Sequence, residues 1–165
     1  MESQTVSSRL SSLLVLYDMH TTFFLSALDG VSDIDAHRRL DTKANHIAWL
    51  AGSIVHERFE VAKLLGAHHK QKSYELFKDN KGIQDNIAYP PLDNFIEEWN
   101  FISPILKEEL ANADDEKLDD SFEMMPGHAM TNFDLIAFTT YREANCIGQI
   151  ALWRRLLGYE PMKYM

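Results

Sequence analysis

Apolar residues recur at steps of three and four along most of this chain, and that period constrains the fold more than any other feature. Leu10, Leu13, Leu14, Tyr17, Phe24, Leu25 and Leu28 form the first such stripe. At 3.6 residues per turn they share one face of a helix, whereas on a strand they would scatter over both faces. The spacing predicts an amphipathic helix over roughly residues 4–29, followed by a turn at Asp29-Gly30-Val31-Ser32-Asp33. Ile47, Leu50, Ile54, Val61, Leu64 and Leu65 predict a second helix from about Asp41 to Leu65, with Gly66 at its C-cap. Leu92, Phe95, Ile96, Trp99, Ile102, Leu106 and Leu110 predict a third, starting near Pro91 and kinked at Pro104. Thr131, with Asp134 three residues on, reads as the capping box of a fourth helix that runs to about Leu157 and stops at Gly158. Between them lie a polar connection over 67–90, with a short helical turn around Ser73–Phe77, and an acidic loop over 112–130.

Four amphipathic helices of about 20–27 residues, each about 30–40 Å long, bury their stripes against one another. The expected architecture is therefore all-α, a four-helix bundle forming one domain over residues 1–165. The net charge of −9 opposes binding to nucleic-acid backbones or anionic membrane surfaces. Arg38-Arg39 and Arg154-Arg155 read as solvated or locally paired. No run of eighteen apolar residues predicts a membrane span. Met1-Glu2-Ser3-Gln4 lacks the basic start of a signal peptide, and the single Cys146 excludes an internal disulfide framework. These features predict a cytoplasmic location.

Function in such an architecture is usually built from polar side chains that point inward. At 100° per residue, Leu135, Phe138, Arg142, Cys146, Gln149, Trp153 and Leu156 fall on one face of the fourth helix. Arg142, Cys146 and Gln149 interrupt it. On the second helix His46, Ser53, Glu57, Glu60 and Leu64 share a line, with Trp49 and His56 to one side. His20 lies between Tyr17 and Phe24 in the first stripe. The bland reading of each is a hydrogen-bonded core histidine, a solvated acidic edge or a small buried thiol. The candidate pocket comprises His20, Trp49, His56, Glu57, Glu143 and Gln149 around Ser53, Arg142 and Cys146.

The stretch Arg142-Glu143-Ala144-Asn145-Cys146-Ile147-Gly148-Gln149-Ile150, followed by Arg154-Arg155-Leu156-Leu157-Gly158, resembles the signature of the DinB/YfiT-like family. Asn45-His46-Ile47-Ala48-Trp49-Leu50-Ala51-Gly52-Ser53-Ile54 is similar to that family's second-helix motif. The resemblance implies a bundle of up-down-down-up order, a homodimer, and a divalent metal such as zinc or nickel on three histidines, serving thiol-dependent transferases or isomerases. Here those three positions carry Ser53, Arg142 and Cys146. Serine is a poor ligand and arginine a permanent cation, so the expectation is a site without metal or other cofactor, in a pseudoenzyme or a binder of a small anionic or thiol ligand. Arg142 is expected to take the ion's place, paired with Glu57 or Glu143. The alternatives are an enzyme with a rearranged metal site on Cys146, His20 and His56, and a structural or dimerisation domain.

Overall fold

The Thr131 side chain accepts a hydrogen bond from the backbone of Asp134, whose carboxylate in turn accepts one from the Thr131 N–H, and this closed box starts the longest helix of the protein. The computed structural model describes residues 6–165. In chain order the elements are α1 (Ser11–Leu28), α2 (Asp33–Ala36), α3 (Ile47–Leu65), α4 (Tyr74–Phe77), a 3₁₀ turn (Lys78–Asn80), α5 (Leu92–Asn112), α6 (Asp115–Asp119), strands β1 (Ser121–Met125) and β2 (His128–Thr131), and α7 (Asn132–Leu156).

Several boundaries differ from the sequence expectation, each for a local reason. The first helix begins at Ser11, not near residue 4, because Val6 bridges to Asp114 and Ser7 N–H bonds the Ala113 carbonyl. Residues 1–5 lie outside the described chain. The second long helix begins at Ile47, not Asp41. Leu40 and Asp41 hold positive φ angles of 45° and 58°, which no α-helix accommodates, and His46 caps α3 by accepting from the Trp49 N–H at 3.0 Å. The supposed acidic loop contains α6 and a two-stranded antiparallel hairpin, so the chain is mostly helical and not purely so. The hairpin turns at Pro126-Gly127, where Gly127 takes a φ of 82° that a side chain would strain.

Contacts fix how the four long helices run. Along α1 and α7, His20 meets Glu143 and the Ala27 carbonyl meets Arg154, so these two helices are parallel. Gly52 faces Phe95 and Phe59 stacks on Phe101, so α3 and α5 are parallel. Tyr17 reaches Ser103 while Thr21 reaches Trp99, which makes α1 and α5 antiparallel. Trp153 reaches Asn45 and Glu143 reaches Arg58, which makes α7 and α3 antiparallel. Phe24, Ile54, Phe95, Trp99, Ile102 and Ile150 are fully buried at the centre. Gly52 has a packing role: a Cβ there would sit 2.2 Å from the Phe77 ring and 2.7 Å from Phe95. Among the described residues no helix is long and apolar enough to cross a membrane.

Candidate functional site

Two arginine–glutamate pairs join α3 to α7, and they differ in every respect except composition. The first lies in the core. Arg58 is 1% exposed, its guanidinium held between the rings of Tyr17 and Trp99 at 3.9 and 3.5 Å. It donates through Nε to Glu143 Oε1 (2.5 Å) and through Nη2 to Oε2 (2.9 Å). Its Nη1 donates to Thr21 Oγ1 (2.9 Å) and Ser103 Oγ (2.7 Å). His20 Nδ1 meets Glu143 Oε2 at 3.2 Å. Burial acts to raise the Glu143 pKa, but Arg58 and His20 outweigh it and hold the carboxyl below its ordinary range. The hydroxyls complete the network: Thr21 donates to the Tyr17 carbonyl, Ser103 to the Trp99 carbonyl, and Tyr17 to the Ser103 carbonyl. A buried charge pair is tolerable only when its remaining donors and acceptors are met in this way.

The second pair sits on the flank of the same interface. Arg142 Nη1 donates to Glu57 Oε1, Nη2 donates to Ser53 Oγ at 3.2 Å, and Nη2 lies 4.0 Å from Cys146 Sγ. Ser53, Arg142 and Cys146, one from α3 and two from α7, thus meet at one guanidinium. The Arg142 side chain is 29% exposed and that of Glu57 15%. Glu57 Oε2 is buried without a hydrogen-bond partner. Burial is the main force on this carboxyl, Glu143 adds to it and Arg142 opposes it, leaving the pKa raised to about 7. Burial likewise pushes the Cys146 thiol up to about 11, so it stays protonated at neutral pH. Beside the pair, a cavity of about 10 Å³ is lined by Glu57, Arg58, Thr139, Thr140 and Glu143. That is room for about one water molecule and no substrate.

This donor set does not suit the metal that the resemblance implies. A serine hydroxyl and a protonated thiol are weak ligands, and a guanidinium already fills the place where they converge. No chemical step is derived through a metal here.

Other expected site residues scatter. His20 is buried on Glu143, while His56 Nδ1 meets Gln71 Oε1 at 3.2 Å and its ring lies against Tyr74 and Phe77. Trp49 is buried beside Phe77. Gln149 is not inward: it is exposed and donates to Asn145 on its own helix. Phe138 and Leu156 are also exposed. Of the expected inward line Cys146 and Trp153 are buried, but the buried face of α7 is turned from it toward Ile136, Glu143, Ile147, Ile150 and Arg154, and leaves Arg142 on its flank. Arg154 is therefore neither solvated nor paired with a neighbour. It is buried and donates to the carbonyls of Ala27 and Asp29 at the end of α1 and of Glu160.

The residue missed altogether is Arg58. It had a signal, because it falls in register with Ile54, Val61 and Leu65 and so interrupts the most apolar face of α3. No protein-family model matches the chain, and no curated protein is significantly similar to it.

Proposed function

We propose that this chain is a DinB/YfiT-like four-helix bundle of up-down-down-up order, in which an arginine–carboxylate pair has taken the place of the family's metal. In this reading it is a pseudoenzyme: it keeps the scaffold and gives up the metal chemistry. The helix directions support the order, since α1 and α7 point one way and α3 and α5 the other. The observation that carries the reading is the meeting of Ser53, Arg142 and Cys146 at one point. Those are the three positions at which the resemblance places metal ligands, and the Arg142 cation occupies the point with Glu57 as its counter-charge. Metal analysis of protein purified without an affinity tag tests the proposal. The expected content is below about a tenth of an equivalent of zinc, nickel, iron or manganese, since neutral hydroxyl and thiol groups beside a guanidinium bind such ions weakly. One equivalent, lost on Cys146→Ala, would sink it.

A further inference from the structure

We propose that the cleft where the end of α3 meets α5 binds a small aromatic anion, its ring on Phe59 and Phe101 and its acid group among Lys63, His69 and Lys70. The inference stands apart from the reading of the Arg142 site, whose Ser53 lies roughly 15 Å back along α3. The sequence supplies the charge. Between Lys63 and Lys81 five lysines and two histidines face only Glu75 and Asp79, in a chain whose net charge is −9. The fold gathers the first half of that stretch at two adjoining clefts. One, of about 270 Å³, is lined by Lys63, His68, His69, Lys70 and Tyr74, with Glu60 the single acid. The other, of about 330 Å³, has Phe59 and Phe101 as walls, Lys70 and Lys72 at its rim, and Glu97 and Glu98 beside them. Lys70 belongs to both. The Phe59 and Phe101 rings lie 6.3 Å apart and nearly parallel, at 20°, and the His69 ring stands edge-on to Phe101 at 5.1 Å. Phe101 is 50% exposed, which leaves ring surface free for stacking.

The loop that carries the cations is held from below. Gln71 is 2% exposed; it donates through Nε2 to the Gly52 carbonyl at 3.2 Å, and its Oε1 meets His56 Nδ1 at 3.2 Å. The Lys72 N–H donates to Oε1 of Glu98 at 2.6 Å, and Glu98 is 5% exposed. A buried amide and a buried carboxylate thus anchor the backbone to α3 and α5. His69, Lys70 and Lys72 leave it from fixed points, which lowers the ordering cost of binding. Lys70 and Lys72 lie 3.9 and 3.8 Å from Glu75 and Glu97, beyond hydrogen-bond distance, so their ammonium donors stay open to a ligand. The Ala62 and Lys63 carbonyls at the end of α3 accept from the N–H groups of Gly66 and Ala67, and so do not claim those cations. Charge and size select the occupant. A polyanion meets the field of the whole acidic chain, whereas a small anion senses mainly the charges within a Debye length, about 8 Å at physiological salt. Each cleft is near the lower end of the ~300–1,000 Å³ of small-molecule sites, room for one ring and one acid group.

Amide chemical-shift titration of the isotope-labelled full chain with phenyl phosphate and with phenylacetate tests the proposal. Saturable shifts are expected over residues 59–74 and around Phe101, with half-saturation on the order of 1 mM or below. Inorganic phosphate and benzyl alcohol each carry half of the chemistry and are expected to bind at least ~10-fold more weakly than phenyl phosphate. Lys70→Ala and Phe101→Ala are each expected to weaken phenyl phosphate by at least ~10-fold. Their helical circular dichroism should match wild type, because both side chains are exposed. Lys107→Ala removes an exposed lysine paired with Asp18 of α1 and should leave binding unchanged. The tighter of the two probes names the acid group as phosphate or carboxylate. No saturable shift with either probe at about 10 mM overturns the proposal. So does equal binding of phenyl phosphate and inorganic phosphate, which would mark an adventitious ion only, or a response untouched by both Lys70→Ala and Phe101→Ala.

Discussion

The two ion pairs between α3 and α7 are built from neighbouring residues in opposite order: Glu57-Arg58 on one helix and Arg142-Glu143 on the other. Consecutive residues on a helix point about 100° apart. One pair therefore lands in the core and the other on the flank, and their chemistry diverges from that single fact. Arg58 has two oxygens of Glu143, two hydroxyls and two aromatic faces, and it ties all four long helices together. Arg142 has one oxygen of Glu57 and one hydroxyl, and it leaves Glu57 Oε2 without a partner. The inner pair stabilises the architecture.

The sharpest way to break this comparison is to delete one member of each pair. Glu143→Ala leaves the Arg58 guanidinium buried and uncompensated, and should cost about 3–5 kcal/mol in urea denaturation. Replacing both partners, as in Arg58→Met with Glu143→Leu, should recover most of that loss, because the desolvation cost leaves with the charges. If the double variant is as unstable as Glu143→Ala, the hydroxyl and aromatic contacts of Arg58 matter more than its charge.

Glu57→Gln should act in the opposite direction at high pH. The folded-state pKa of Glu57 is raised to about 7 from 4.5, so its contribution is fully present below about 4.5 and lost as pH rises through about 7. Relative to Glu57→Gln, wild type should lose on the order of 1–3 kcal/mol between pH 4.5 and 8, the upper figure being the full linkage term. A flat difference between the two pH profiles would mean that Arg142 fully compensates the charge. His46 must be separated from this effect. Its pKa is lowered from 6.5 to about 4, chiefly by burial, so its contribution is present above 6.5 and lost as pH falls through about 4. His46→Asn keeps a cap at α3 and should remove that acid limb while changing stability at pH 8 by less than about 1 kcal/mol. The smallest effect concerns Cys146. Its rate with a thiol reagent should be at least ~100-fold slower in the native protein than in urea, since the thiol is buried and protonated.

Most of the architecture was legible in the sequence, because the four stripes, the Thr131 capping box and Gly66 are local signals. The hairpin was not, because nine strand residues beside an acidic stretch give too short an alternation to stand out against loop. At the site, the pairing of Arg142 with Glu57 follows from spacing on two helices, and the positions of Ser53 and Cys146 follow with it. Arg58 does not stand out in the sequence because arginine is ordinarily a surface residue, and a single charge between Ile54 and Val61 reads as the solvated edge of an apolar run. Gln149 was misplaced because a wheel drawn through Phe138 and Leu156 took exposed apolar residues for core. The apolar period locates a helix well, but it fixes the inward face only to within about one residue, which on a 100° step is the difference between core and flank.

The most direct test of the account is to return the three histidines. The variant Ser53→His, Arg142→His and Cys146→His removes the guanidinium and places three imidazoles at the point it occupied. With the inner pair intact, the variant should stay folded and take up about one equivalent of zinc or nickel by calorimetric titration, at a tetrahedral or octahedral site with water completing the shell. A folded variant that binds neither ion would contradict the claim that Arg142 stands where a metal belongs.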